Sequence, residues 1–286
     1  MKLCRFTATS GDDVRVGLLT SDQAVVDLTD AGVYRMQGLL ERADLADELT
    51  RLSAARLPTH ALDSVRLLTP VESQEVWAAG VTYLKSRKAR MVESEFSASA
   101  YDRVYDAERP EIFFKSLPEK VVSPGEPVGI RRDARWNVPE PELALAINSA
   151  GVVVGFTIGN DMSSRDIEGE NLLYLPQAKI YTRSCAVGPW IVVGPTEDEA
   201  RQWTIQLEIR RGVETVFAGD TRAGQIKRPF AELVHYLFRS QTFPNGAVLL
   251  TGAGVVPPDS FTLEADDAVR ITISGVGTLE NAVSIV

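Results

Sequence analysis

From Pro139 to Ile147 the chain reads Pro-Glu-Pro-Glu-Leu-Ala-Leu-Ala-Ile, and the next apolar run ends in Gly159-Asn160-Asp161. On a strand the side-chain period is two, so Glu140 and Glu142 share one side. Ala144 and Ala146 continue that side, and Leu143, Leu145 and Ile147 take the other. Carboxylates that lead into an apolar strand face partial burial, where a charge must be paired or hold a metal. If the strand ending at Asp161 lies alongside, three carboxylates converge with nothing close in sequence to neutralise them. Oxygen-only donors suit a hard divalent cation, Mg2+ first, with Mn2+ or Ca2+ as substitutes.

The surrounding pattern is mainly strand-like. Ile112–Lys115, Leu143–Ile147, Val152–Ile158, Ala186–Val193, Thr204–Arg210, Val248–Thr251 and Val269–Ile273 are expected strands. Phe230–Arg239 has helical spacing. Near the N-terminus, Leu3–Phe6, Val14–Leu19 and Ala24–Leu28 predict short strands. Leu39, Leu40, Leu45, Leu49 and Leu52 then form a helical stripe with a break near Asp44. Pro58 and Pro70 punctuate an expected linker. The fold class is therefore mainly β with α+β character: a small N-terminal α+β domain over residues 1–66 and a larger β-rich domain over 71–286. The charged segment Leu84–Arg109 is either a solvated surface helix or a mobile cover over a site.

A net charge of −9 over 286 residues argues against nucleic acid or an anionic membrane as partner. No apolar run approaches 18 residues, and the first residues lack the apolar stretch of a signal peptide. Cys4 and Cys185 form neither a CxxC pair nor a Cys/His cluster, which fits free thiols in a reducing cytoplasm. His60 and His235 are the only histidines, and no Ser-His-Asp arrangement, G-x-S-x-G elbow, P-loop or dinucleotide fingerprint is present. The converging carboxylates suggest an enzyme whose chemistry is run by a divalent metal.

Two lysines have apolar company. Lys115 follows Ile112-Phe113-Phe114, and Lys179 shares one face with Gln177 and Tyr181 if that stretch is extended. A desolvated lysine loses its proton more readily, which suits a general base. Thr251-Gly252-Ala253-Gly254 closes a strand with a turn whose main-chain N–H groups can approach a carboxylate.

From about Val76 to the C-terminus these pieces, in this order, resemble the fumarylacetoacetate hydrolase superfamily. The markers are Ile112–Lys115, Glu140-x-Glu142, Asn160-Asp161-Met162-Ser163-Ser164-Arg165-Asp166, Lys179 and Leu250–Gly254. The resemblance implies a mixed β-roll, assembled as a homodimer or homotetramer, with Mg2+ held by Glu140, Glu142 and Asp161. Carbon–carbon hydrolases of the superfamily carry a His-Glu pair after the first core strand. Here Gly80-Val81-Thr82-Tyr83 runs on through Ser86-Arg87 without a histidine. That stretch, Pro-Glu-Pro-Glu and Leu175–Lys179 together look like the branch of 2-keto-3-deoxy-pentonate (arabinonate/xylonate) dehydratases. These enzymes form 2,5-dioxopentanoate by enolate formation and loss of the C4 hydroxyl.

On that resemblance Lys179 and Glu111 are the expected acid and base. Lys115, Arg87, Thr251, Gly252 and Ala253 are the expected substrate contacts. Ala253 departs from the usual Thr-Gly-Thr-Gly turn, and a missing hydroxyl to a carboxylate weakens binding by roughly 1.5–3 kcal/mol. Competing readings are a metal-dependent hydrolase or decarboxylase of acylpyruvates or oxaloacetate, and a non-catalytic binder of 2-oxo acids.

Overall fold

Short apolar alternations broken by Gly, Asp and Pro fold here as strands whose partners lie far away in sequence. The computed structural model describes residues 1–8, 11, 13–20, 23–83 and 103–286. The strands of the first half are β1 (Lys2–Ala8), β2 (Arg15–Leu19), β3 (Ala24–Asp27), β4 (Thr59–Ala61), β5 (Val65–Leu68), β6 (Glu75–Gly80), β7 (Glu111–Ser116), β8 (Val128–Ile130) and β9 (Asn137–Val138). Those of the second half are β10 (Pro141–Ile147), β11 (Val153–Asp161), β12 (Ser163–Ser164), β13 (Cys185–Val192), β14 (Thr204–Arg211), β15 (Glu214–Arg222), β16 (Ala247–Leu250), β17 (Ala268–Ile273) and β18 (Gly277–Ile285). The helices used below are α1 (Met36–Leu40), α2 (Leu45–Ser53), α3 (Arg165–Glu170), α4 (Leu175–Lys179), α5 (Glu197–Arg201) and α6 (Phe230–Phe238).

A large sheet runs β4-β3-β2-β1-β13-β11-β10-β16-β6-β7, with β5 also paired to β1. A second sheet runs β15-β14-β17-β18-β8, and β9 pairs with β12. The large sheet is continuous from the N-terminal strands into the later ones, because β1 pairs antiparallel with β13. Its middle is the expected apolar strand β10, buried along its whole length. Leu143, Leu145 and Ile147 enter the main core with Phe156 and Ile158, while Ala144 packs on the other face with Val248 and Leu250. The two parities of the strand thus serve different cores.

The helical stripe breaks where the spacing predicts, with Asp44 as the N-cap of α2. The expected linker does not persist as one. Residues 59–61 and 65–68 are strands paired with β3 and β1. Segments this short carry too little periodicity to show as strands before their partners are known. His60 therefore lies on β4, its Nε2 3.5 Å from Asp27. Both cysteines are free and buried, and burial pushes each thiol up to about 12. Among the described residues no helix is long and apolar enough to cross a membrane.

Candidate metal centre

Register brings the three acids together. In the β10–β11 ladder Glu142 faces Gly159 and Pro141 faces Asn160, and Asp161 N–H donates to Glu140 O at 3.0 Å. Glu140, Glu142 and Asp161 are all buried, and one carboxylate oxygen from each lies within 4.8 Å of the others. They line a cavity of about 140 Å3 together with Lys179, Arg165, Phe113, Ala79, Gly80, Val81 and the turn Gly252–Val256. Charged groups and apolar side chains thus line the same small cavity.

Cationic side chains that the sequence places far from Glu140–Glu142 also arrive here, so the expectation of an unneutralised trio is corrected. Lys179 Nζ lies 2.6 Å from Glu140 Oε2 and 3.1 Å from Asp161 Oδ2, and it bonds Ser163 Oγ at 2.5 Å. Arg165 Nη2 is 3.3 Å from Glu140 Oε1, and its Nη1 is 3.7 Å from Glu168. Lys115 Nζ lies 2.5 Å from Asp161 Oδ1 and donates to the main-chain oxygens of Met162 (3.0 Å) and Lys179 (2.5 Å). Neutralisation is still incomplete. Burial, then Asp161 and Glu140, hold the Glu142 carboxyl well above the usual carboxylate range, against the opposing pull of the Gly252 N–H and Lys179.

The residues present fit a hard divalent cation. The donors are all oxygen, they are buried and they are close together. A dication would also supply the charge that Glu142 lacks.

Residues 75–284 match the fumarylacetoacetate (FAA) hydrolase C-terminal family. The chain belongs to this family. Over 248 residues it is 44% identical to a probable 2-keto-3-deoxyxylonate dehydratase of Haloferax volcanii, covering 87% of this chain and 81% of the relative. It is 38% identical over 239 residues to 2-dehydro-3-deoxy-D-arabinonate dehydratase of Saccharolobus solfataricus, covering 82% and 80%. A solved structure of 2-keto-3-deoxy-D-arabinonate dehydratase complexed with magnesium and 2,5-dioxopentanoate superposes with a TM-score of 0.83 at 31% identity, covering 100% of this chain and 99% of that one.

Within this FAA hydrolase family member the other expected site residues are placed as follows. Lys179 ends α4, a helical turn with Pro176 at its start, where a proline has no N–H to lose. The extended face shared by Gln177, Lys179 and Tyr181 is therefore corrected: Gln177 is exposed, and Lys179 turns inward. Glu111 opens β7 opposite Gly80 and borders the cavity without lining it. Lys115 is completely buried and also does not line the cavity. In the turn, Thr251 Oγ1 donates to Leu143 O at 2.8 Å, and Gly252 N–H donates to Glu142 Oε2. The expected main-chain contact to a carboxylate exists, and the carboxylate is the protein's own. Ala253 lines the cavity. Arg87 lies outside the described residues, as does most of the expected cover, residues 84–102.

Sequence reasoning gave no role to Arg165, Ser163, Phe113 or Gly80. Arg165 and Ser163 do stand in the stretch after Asp161, and that adjacency was the available signal.

Proposed function

We propose that this protein is a Mg2+-dependent hydro-lyase that converts a 2-keto-3-deoxy-D-pentonate (arabinonate or xylonate) to 2,5-dioxopentanoate. The observation that carries the reading is the convergence of Glu140, Glu142, Asp161 and Lys179 on one small buried cavity, in a chain whose relatives carry such dehydratase names. Glu140, Glu142 and Asp161 would hold the metal, and Mn2+ or Ca2+ could substitute in the same oxygen set. When bound, the metal polarises the 2-keto group and so acidifies the C3 protons.

The chain's own groups move the protons. Between them Lys179 and Glu111 supply the acceptor for a C3 proton and the donor to the C4 oxygen, which leaves as water. Loss of one proton from C5 and one from the C5 hydroxyl, with one proton returned to C3 and one to C4, then leaves the second carbonyl at C5. Arg165 holds Glu140, and the apolar wall of Phe113, Val255 and Val256 excludes water from the carbon chain. Arg87, Gly252 and Ala253 remain the assigned substrate contacts, with Gly252 and Ala253 at the cavity wall, whereas Thr251 is fully buried and its hydroxyl is spent on Leu143 O, so it holds the turn instead. Lys115 takes a different role from the substrate contact that the sequence suggests. Enclosed on all sides, it ties Asp161 and the end of α4 to β7.

The assignment extends to the whole chain as a cytoplasmic homodimer or homotetramer. Residues 71–286 form the catalytic domain, and residues 1–66 form a small N-terminal domain. Light scattering after size exclusion reads the assembly. The decisive experiment incubates the protein with Mg2+ and each 2-keto-3-deoxypentonate. Aldehyde product with loss of all turnover in EDTA supports the dehydratase. Release of pyruvate or another small keto acid establishes carbon–carbon cleavage instead, and tight 2-oxo acid binding without turnover establishes a binding protein.

A further inference from the structure

We propose that Gly80 is a positioning residue for Glu111: its missing side chain is the space that seats the Glu111 carboxylate beside the metal cavity. The inference rests on the reading of Glu111 as one of the two proton-transfer groups. Gly80 ends β6 and is the cross-strand partner of Glu111, the first residue of β7. Directly opposed residues of an antiparallel pair project to one face and touch. With hydrogen in place of a side chain at position 80, Glu111 folds across the neighbouring strand instead of standing away from it. A Cβ built on Gly80 would lie 1.9 Å from Glu111 Oε2, 2.6 Å from Cδ and 3.2 Å from Cγ. The carboxylate thus fills the volume that any other residue would claim, and Gly80 is the part of that contact which lines the cavity.

Two further facts identify what would yield if that volume were filled. Gly80 does not have a positive φ, so its backbone accepts an L residue and the need for glycine is spatial. The chain just after it is rigidly held. Val81 is a β-branched residue at φ 51°, a strained conformation that persists only where neighbours enforce it. Thr82 enforces it, because its Oγ1 donates to Thr251 O at 2.6 Å and its carbonyl accepts Lys227 N–H at 2.9 Å. The three heavy atoms nearest the built Cβ all belong to the Glu111 side chain, whose end is flexible. A methyl at position 80 therefore leaves the sheet in place and displaces the carboxylate.

The test is a double-mutant cycle of Gly80→Ala and Glu111→Ala, read by kcat, KM, Mg2+ affinity from calorimetry, and thermal melting. Gly80→Ala is expected to lower kcat about a hundredfold, the scale of a 1 Å misplacement, with KM and Mg2+ affinity within twofold of wild type. In the Glu111→Ala background it is expected to change kcat by less than twofold. If Gly80→Ala lowers kcat by the same factor with and without Glu111, the methyl acts on the cavity directly and the proposal falls. An unchanged kcat in Gly80→Ala also overturns it. A full kcat in Glu111→Ala alone would instead retire the catalytic reading of Glu111. Should Gly80→Ala fail to fold, the double variant decides: folding with the kcat of Glu111→Ala supports the contact, and failure to fold refutes it.

Discussion

Lys115 has a stability signature that separates its two possible roles. Its ammonium is fully buried between Asp161, Met162 O and Lys179 O. Replacing one partner of a buried ion pair leaves the other charge uncompensated, at a cost of about 3–5 kcal/mol. Lys115→Met is therefore expected to lower the melting temperature steeply in the metal-free protein. Mg2+ should restore part of the loss, because the dication then neutralises Asp161. KM for the substrate is expected to stay within about threefold, since the ammonium is buried and does not line the cavity. A raised KM with an unchanged melting temperature would return Lys115 to the role of a substrate contact. The residue type and its apolar setting were legible in Ile112-Phe113-Phe114-Lys115. Its acceptors were not, because two of them are carbonyls on segments that only the tertiary fold brings to β7.

At the scale of elements, the legible parts were those with a sustained period. β10 declares itself by alternation, and the shared side of Glu140 and Glu142 follows from the same period. The break at Asp44 and the helix α6 were legible for the matching reason at period 3.6. The short pieces were not: β4, β5 and α4 span three to five residues each, and no periodicity shows at that length. The turn after β16 lies between these cases. Its glycines signalled a turn, yet which carboxylate it serves depends on β10 lying beside β16. Gly252 sits at φ +95°, and a Cβ there would lie 2.0 Å from Thr82 Oγ1 and 3.1 Å from Ala79 O. Left-handed strain costs of order 1–3 kcal/mol, and the overpacking about as much again. Gly252→Ala is thus expected to lower stability by about 2–6 kcal/mol in denaturant melts. It should also weaken Mg2+ binding at least tenfold by moving the N–H that holds Glu142. Wild-type stability in that variant would show that the turn can relax and that its geometry is not fixed by Thr82.

For the whole molecule, the continuous sheet makes the N-terminal residues structurally necessary to the site they do not touch. Leu3, Val16 and Leu18 share one core with Ala146 of β10, Ile191 of β13 and the adjacent Val193. Residues 71–286 alone would carry every candidate ligand but uncover the β13 edge and that apolar face, which makes pairing with another chain favourable. The truncated chain is expected to be aggregated or poorly soluble, and a monodisperse, active 71–286 fragment would overturn this view of the sheet. A bound dication would act on the same global equilibrium from the opposite side. Its candidate ligands come from the start of β10 and the end of β11, and Glu142 is also tied to the turn after β16, so binding requires the native register of three central elements. An unfolded chain offers no such cluster, so Mg2+ at a hundredfold excess over Kd should stabilise by about 2.7 kcal/mol. For a protein of this size that corresponds to a rise of roughly 5 °C or more in melting temperature. The rise should vanish in EDTA and in Glu142→Gln, whose amide keeps the shape but removes the anionic donor. An equal rise in Glu142→Gln would place the cation elsewhere and take the central carboxylates out of the chemistry.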